Sequence, residues 1–136
     1  RGLFEEAIPH LQRAYDLQPF AADRAYNLAA ANLQSNRVAE AETYFRRALK
    51  LGSEEPEKTW NGLGYCYLER KDYAGALRCF RKAVRINPRY ALAYLSASLA
   101  HERMGDRAAA IESAKQALER DPGNPAARKR LQELQP

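Results

Sequence analysis

The segment WNGLGYCYLERKDYAGALRCFRKAVRINP (residues 60–88) carries the pattern that decides the fold. Trp60, Leu63 and Tyr67 are spaced i, i+3 and i+7, so they share one face of a helix. After a polar break, small and aromatic residues share one face of a second helix: Ala76, Phe80 and Ala83. Two short amphipathic helices joined by a tight turn form an antiparallel hairpin. One hairpin cannot bury its apolar face alone, so the pattern predicts a stack of hairpins.

Residues that start or stop helices support these helix limits. Asp72 is placed to cap the second helix at its N-terminus, and Pro88 ends that helix because the residue before a proline is pushed out of helical geometry. Gly52 and Gly105 are predicted C-terminal stops of other helices. Pro9 predicts a kink or a late start in the first helix, because it removes one backbone hydrogen bond.

The same pattern recurs at intervals of about 34 residues. The segment 91–124 keeps the small residues and the closing proline but loses most aromatics. The segment 22–56 contains one extra residue and keeps five pattern positions: Leu28, Ala29, Ala41, Phe45 and Ala48. Residues 1–21 match only the second half of a repeat.

This pattern resembles the tetratricopeptide repeat family, whose consensus is W-x2-L-G-x2-Y followed by Ala, Phe, Ala and Pro. The segment 57–90 matches all eight positions. The resemblance implies an all-α solenoid of helix-turn-helix repeats that winds into a right-handed superhelix. It divides the chain into a half repeat, three complete repeats and a capping helix at 1–21, 22–56, 57–90, 91–124 and 125–136. We therefore expect the chain to begin within a repeat, as a single domain over residues 1–136.

The predicted helices follow from this division. A first, unpaired helix covers about 4–17. Three hairpins and a closing helix follow, at about 22–35 with 38–51, 57–70 with 73–86, 91–104 with 107–120, and 125–135.

Two glycines near Trp60 need separate explanations, because an interior glycine costs a helix about 1 kcal/mol relative to alanine. Gly64 falls on the buried face, where we expect it to lie opposite Ala76 and Ala83 and let the paired helices approach closely. Gly62 falls on the other side, where we expect a local dip that a ligand could use.

Composition indicates a globular protein, since 29% of the 136 residues are charged and 46% are hydrophobic. No apolar run approaches the roughly 20 residues of a membrane helix, so no membrane span is predicted. The Arg-rich and Ala-rich composition favours a bacterial source and a cytoplasmic location. Two alternatives fit Cys66 and Cys79, which form no CxxC pair: buried inert thiols, or a disulfide between neighbouring helices.

The sequence contains no catalytic motif of a common class: no GxxxxGK[ST], HExxH, GxSxG or GxGxxG. His10 and His101 are far apart in sequence and have no further ligands at metal-binding spacing. We therefore predict no enzyme activity, no metal site and no cofactor, and we expect function to lie in surfaces.

The resemblance implies that the first helices of successive repeats line a concave groove that binds a peptide or helix of a partner protein. By position, the first complete repeat contributes Asp23, Tyr26, Asn27, Ala30 and Gln34. The second contributes Lys58, Asn61, Gly62, Tyr65 and Glu69. The third contributes Leu92, Leu95, Ser96, Leu99 and Arg103, with Lys129 and Arg130 extending the rim.

The side chains of this groove suggest its ligand. Tyrosines offer flat amphipathic area, and asparagines can both donate to and accept from a peptide backbone. Leu92, Leu95 and Leu99 are predicted to form an apolar end, which either binds a hydrophobic or helical segment or is covered by the C-terminal helix or a neighbouring molecule.

One subfamily binds the free carboxylate at the end of chaperone tails with Lys, Asn and Arg on three first helices. The equivalent positions here are Tyr26, Ala30, Gly62, Leu92 and Ser96, so the resemblance implies that this function is absent.

Basic residues cluster on the predicted second helices: Arg46, Arg47, Lys50, Arg78, Arg81, Lys82, Arg85 and, just beyond, Arg89. Such a stripe could attract nucleic acid or an acidic protein. Interspersed acidic residues favour a solvated face instead, so we do not expect a nucleic-acid partner.

Two other functions remain as alternatives to the peptide groove. Phe4, Ile8, Leu11 and Tyr15 lie on a helix without a hairpin partner, which predicts exposed apolar surface and self-association with another copy. Alternatively, the repeats are a structural or accessory part of a larger protein whose activity lies elsewhere.

Overall fold

The computed structural model describes residues 2–136, which form eight α-helices in this order: α1 Gly2–Leu17, α2 Ala22–Gln34, α3 Val38–Lys50, α4 Pro56–Glu69, α5 Tyr73–Ile86, α6 Ala91–Arg103, α7 Arg107–Arg120 and α8 Pro125–Leu134. No helix within this described part of the chain is both long and apolar enough to cross a membrane.

The helices stack in two layers. The closest packing is within the hairpins α2–α3, α4–α5 and α6–α7, and each hairpin also packs on the helix before it. Helix α4 contacts both α2 and α6, and α6 contacts α8, whereas α1, α3, α5 and α7 do not contact one another within residues 2–136. Because helices crowd together on the inside of a curve, α2, α4, α6 and α8 form the concave layer. The predicted all-α solenoid is confirmed.

Helix ends follow the local rules. Asp72 accepts a hydrogen bond from the Gly75 backbone N–H (3.0 Å), as expected of an N-cap. Gly52 and Gly105 adopt φ values of 83° and 84°, the left-handed conformation of a C-terminal stop. The expected late start caused by Pro9 is wrong, because α1 begins at Gly2 and continues through Pro9.

The core changes composition along the solenoid. Phe45 and Phe80 are the largest fully buried side chains. Buried alanines lie between the paired helices. Between α6 and α7 the core contains mainly small residues, including Ala110, Ala114 and Ala117. There, the Ser98 hydroxyl donates to the Ala110 carbonyl oxygen (2.7 Å), which satisfies a polar group in a close helix contact.

The two glycines of α4 each face a phenylalanine ring. A Cβ on Gly64 would lie 2.4 Å from Cε1 of Phe80, so this ring, and not the alanines that we expected, occupies the space. A Cβ on Gly62 would lie 2.5 Å from Cζ of Phe45 on α3. The expected ligand-binding dip at Gly62 is therefore wrong, because a side chain of the preceding hairpin already fills it.

Helix α8 packs on α7 and α6. Ala127 and Leu134 are buried there, and the Asn124 side chain caps the helix by accepting from the N–H groups of Ala126 and Ala127 (2.9 and 3.1 Å).

Candidate functional site

Two cavities open between the helices of the concave layer. The first has a volume of about 510 Å³ and lies where α2 begins, beside the α3–α4 connection. Its lining includes four of the predicted groove residues: Asp23, Tyr26, Asn27 and Lys58. The second, of about 370 Å³, lies at the opposite ends of α2 and α4 and is lined by Leu33, Gln34, Asn36, Tyr65 and Glu69. Seven of the ten predicted residues of α2 and α4 therefore line open space, and three do not: Ala30, Asn61 and Gly62.

The first cavity is acidic. Three carboxylates line it, those of Asp23, Glu54 and Glu55, against a single ammonium group, that of Lys58. The Lys58 Nζ forms an ion pair with Glu55 at 2.8 Å, and this hydrogen bond raises the pKa of the lysine. The cavity therefore presents an excess of negative charge, because its one cation already pairs with Glu55 and leaves the carboxylates of Asp23 and Glu54 without a cation in the lining.

Tyrosine rings are held in place along the groove by the phenylalanines of the core. The Tyr26 ring packs edge-on against Phe45, with 5.7 Å between ring centroids, and Tyr65 packs similarly against Phe80 at 6.0 Å. Burial raises the pKa of the Tyr26 hydroxyl, while the nearby Lys58 opposes this effect. These contacts give the groove rigid aromatic walls.

Tyr90 is a groove residue that the sequence pattern missed. Burial is the main reason that the pKa of its hydroxyl is raised, and Tyr26, Glu57 and Tyr65 add to the effect because they lie close by. Tyr90 occupies the N-cap position of α6, so it falls outside the first-helix positions from which groove residues were inferred.

The inner face of α4 carries two polar atoms that lack partners. Asn61, one of the predicted groove residues, is only 4% exposed. Its Oδ1 atom, and Oε1 of Glu57 one turn earlier, are buried and accept no hydrogen bond from any residue in 2–136. Lys58 and Tyr65, which line the two cavities, flank Asn61 along the helix.

The predicted apolar end is smaller than its spacing suggested. Leu92 is 45% exposed, but Leu95 packs on a cluster that includes Ala127 of α8, and Leu99 packs on the cluster around Phe80. Ser96 is buried and donates to the Leu92 carbonyl oxygen (2.9 Å). Of the two alternatives for this apolar end, cover by the C-terminal helix fits Leu95, whereas Leu92 stays exposed.

Charged residues at the far end of the groove join neighbouring helices. Arg103 approaches Glu69 at 3.9 Å, which links α6 to α4. The Arg130 side chain is only 15% exposed, pairs with Glu102 at 2.8 Å and donates to Ser98, so it holds α8 on α6 and does not form an open rim. Lys129 is exposed.

Basic side chains of the outer layer lie over aromatic rings, which the sequence did not predict. Lys82 Nζ lies 4.6 Å from the centroid of Trp60, and the guanidinium carbons of Arg46 and Arg120 lie 5.7 and 5.8 Å from the rings of Tyr67 and Tyr94. Several members of the basic stripe therefore pack on the protein itself.

The two cysteines are free and buried in one core cluster. Burial raises the pKa of the Cys66 thiol to about 12 and that of Cys79 to about 11, as expected of inert thiols.

Comparisons with known proteins agree with this architecture. Sequence models described as tetratricopeptide repeats match residues 1–56, 57–90 and 91–134. Protein FlbA of Caulobacter vibrioides is 32% identical over 108 residues, which make up 79% of this chain but 18% of FlbA. The chain thus spans less than a fifth of that relative.

Solved structures share the fold. A crystal structure of MamA protein is 29% identical, with a TM-score of 0.77 over 89% of this chain and 66% of that one. The crystal structure of the APC/C hetero-tetramer Cut9–Hcn1 is 20% identical, with a TM-score of 0.86 over 99% of this chain and 27% of that one. The repeat matches from residue 1 to residue 134, together with the stacked hairpins, show that this chain belongs to the tetratricopeptide repeat family.

Proposed function

We propose that this chain is an interaction module that binds a segment of a partner polypeptide in the groove along α2, α4 and α6. The observation that carries the proposal is the cavity of about 510 Å³ on the concave side, with charged and aromatic side chains from different repeats around it. Tetratricopeptide repeat proteins are typically non-catalytic interaction scaffolds, and solenoids use extended concave surfaces for binding.

Selection from a random peptide library on the 136-residue chain tests this proposal. Asn27 is exposed in the cavity, so Asn27→Trp fills the space without disturbing a buried contact. Arg81 is exposed on α5 in the outer layer, so Arg81→Trp is the matched control.

Fluorescence anisotropy of the selected peptides measures the outcome. We expect Asn27→Trp to weaken binding by about tenfold or more, which corresponds to about 1.4 kcal/mol, and Arg81→Trp to leave it unchanged. Peptides that bind both variants as tightly as the original chain would show that the groove is not the binding surface.

A second candidate function is self-association through the N-terminal helix and the connection after it. The predicted apolar face is largely covered by the protein itself, because Ile8 is buried against α2 and Leu11 and Tyr15 pack on the same cluster, which leaves Phe4 as the exposed member. Other large apolar side chains are exposed instead: Leu3, Leu17 and Phe20 at 79%, 77% and 78%. In this second candidate function, the binding partner is another copy of the same chain.

A further inference from the structure

We propose that the groove selects a partner segment that carries a basic side chain, arginine or lysine, and binds its cationic group on the inner face of α4. Glu57 and Asn61 supply the acceptors of this subsite. This inference rests on the proposed function, because it names the chemistry that the groove recognises.

The first support is the buried amide of Asn61. The residue is 4% exposed, yet its Oδ1 accepts no hydrogen bond from the described residues, 2–136. Buried polar atoms in native proteins are almost always paired, and leaving one unpaired costs about 1–3 kcal/mol. A groove residue that keeps an unpaired acceptor at this cost is suited to a donor that arrives with a ligand.

The second support is the carboxylate of Glu57. It lies one helical turn before Asn61, so the two side chains are neighbours on the same face of α4. Its Oε1 is also buried and receives no donor from residues 2–136. A carboxylate forms its strongest hydrogen bonds with cationic donors, whereas a neutral donor leaves its charge uncompensated. Glu57 therefore favours an ammonium or guanidinium group over a backbone N–H.

The third support is the charge around the subsite. Lys58, the residue after Glu57, lines the cavity that also contains Asp23, Glu54 and Glu55, and this one cation of the lining already pairs with Glu55. Clefts lined by one sign of charge raise the local concentration of ligands of the opposite sign. An acidic segment would meet repulsion here, and a basic one is attracted.

Short peptides test the inference directly. The probes are N-acetyl peptide amides in which one central residue, flanked by alanines, is arginine, lysine, citrulline or glutamate. Citrulline has nearly the shape of arginine but no charge. They are titrated into the isotope-labelled 136-residue chain, and backbone amide shifts are followed by NMR.

We expect saturable shifts at Glu57, Asn61 and Tyr90 with the arginine or lysine peptide, and none with citrulline or glutamate. Equal shifts with the citrulline or glutamate peptide overturn the inference. So do shifts that map elsewhere, or the absence of saturable shifts with both basic peptides.

Variants separate a binding role from a structural one. We expect Glu57→Gln to weaken binding of the basic peptide by about tenfold or more, since it removes the charge but keeps the shape. Glu112→Gln, an exposed residue of α7, is the charge-matched control and should bind normally.

Asn61→Leu provides a second, independent readout. It removes an unpaired buried acceptor, so we expect weaker peptide binding together with a melting temperature that is unchanged or higher. A lower melting temperature with unchanged binding would assign Asn61 to the fold and overturn its place in the subsite.

The library-selected peptides distinguish this inference from the proposed function. One outcome is that the selected peptides lose affinity for Asn27→Trp and yet still bind the original chain after each basic residue is replaced by citrulline or alanine. That result would support the proposed groove and overturn the basic subsite. If no peptide binds the groove, both fall.

Discussion

At the residue scale, two glycines hold α4 between its neighbours. Gly64 contacts the ring of Phe80 on α5, within the same hairpin, and Gly62 contacts the ring of Phe45 on α3, in the preceding hairpin. One glycine therefore determines how the hairpin closes, and the other determines how successive hairpins stack. The helix-propensity cost of both residues is offset by the burial of two aromatic rings.

Replacing either glycine with alanine should destabilise the protein, although alanine is the better helix former. The added Cβ would lie 2.5 Å or less from a buried ring carbon, and overpacking of this kind costs about 1–3 kcal/mol, against a gain of about 1 kcal/mol in propensity. Urea unfolding should show a net loss of up to about 2 kcal/mol for Gly62→Ala and Gly64→Ala. Gly123→Ala is the control, because a Cβ there meets nothing within 4 Å.

A double-mutant cycle checks the cause of this loss. Phe80→Leu makes room beside Gly64, so the cost of Gly64→Ala should fall in the Phe80→Leu background and stay the same in a Phe45→Leu background. Equal costs in all backgrounds would show that the rings are not responsible.

Sequence spacing could assign some of these residues and not others. Gly64 was placed on the buried face correctly, because helical periodicity alone identifies that face. The contact of Gly62 depends on a ring from α3, and the spacing of residues within α4 gives no information about that ring.

The thiols of Cys66 and Cys79 should be unreactive in the folded protein. Burial raises their pKa values to about 12 and about 11, so almost no thiolate exists near pH 8 and access is blocked. We expect a disulfide-exchange reagent such as DTNB to modify both thiols rapidly in denaturant and only slowly in its absence. Rapid modification of either thiol in the folded protein would contradict this prediction.

The same shifts predict a pH dependence of stability. The folded-state pKa values lie above the unfolded value of about 8.5, so the unfolded thiols lose protons first as pH rises. The contribution of the buried neutral thiols to the free energy of unfolding should be fully present below about pH 8 and should decline from there toward pH 11–12. Substituting alanine for each cysteine should make the stability curve flatter above about pH 9.

At the scale of elements, helix limits could be predicted to within two residues, because caps, glycines and prolines act locally. Pro9 is the exception, since the late helix start that it predicted does not occur and α1 continues through it. The hairpins differ more in their cores than in their lengths. Phe80 is buried between α4 and α5, whereas Ala114 stands at the corresponding place between α6 and α7.

The α6–α7 hairpin should therefore open more readily than α4–α5. A buried phenylalanine contributes far more apolar area than alanine, and solenoid repeats open as semi-independent units. In hydrogen exchange, corrected for intrinsic rates, amides of α6 and α7 should exchange at least about tenfold faster than those of α4 and α5. Equal protection in both hairpins would mean that the array opens only as a whole.

At the scale of the molecule, the two layers carry different chemistry. The concave layer offers an acidic cavity with aromatic walls, and the convex layer offers arginines and lysines that partly pack on the protein's own rings. The sequence pattern could identify the concave layer, since repeat position determines which helix faces inward. It left two alternatives open for the leucines, because their cover comes from α8 and from the Phe80 cluster. Membership of a layer follows from local sequence, whereas exposure within that layer depends on the neighbouring repeats.

Exposed apolar residues at the N-terminal end lead to a prediction about the whole molecule. Leu3, Leu17 and Phe20 each keep more than three quarters of their surface in water, and covering them with a second copy would be favourable by about 25 cal/mol per Å² of apolar area. The apparent mass by light scattering should therefore rise with concentration toward that of a dimer. Leu17→Lys should suppress this rise, whereas Met104→Lys, an equally charged change at an exposed site after α6, should not. A monomer mass that stays constant up to the highest concentration, or an equal effect of both substitutions, would rule out association through this surface.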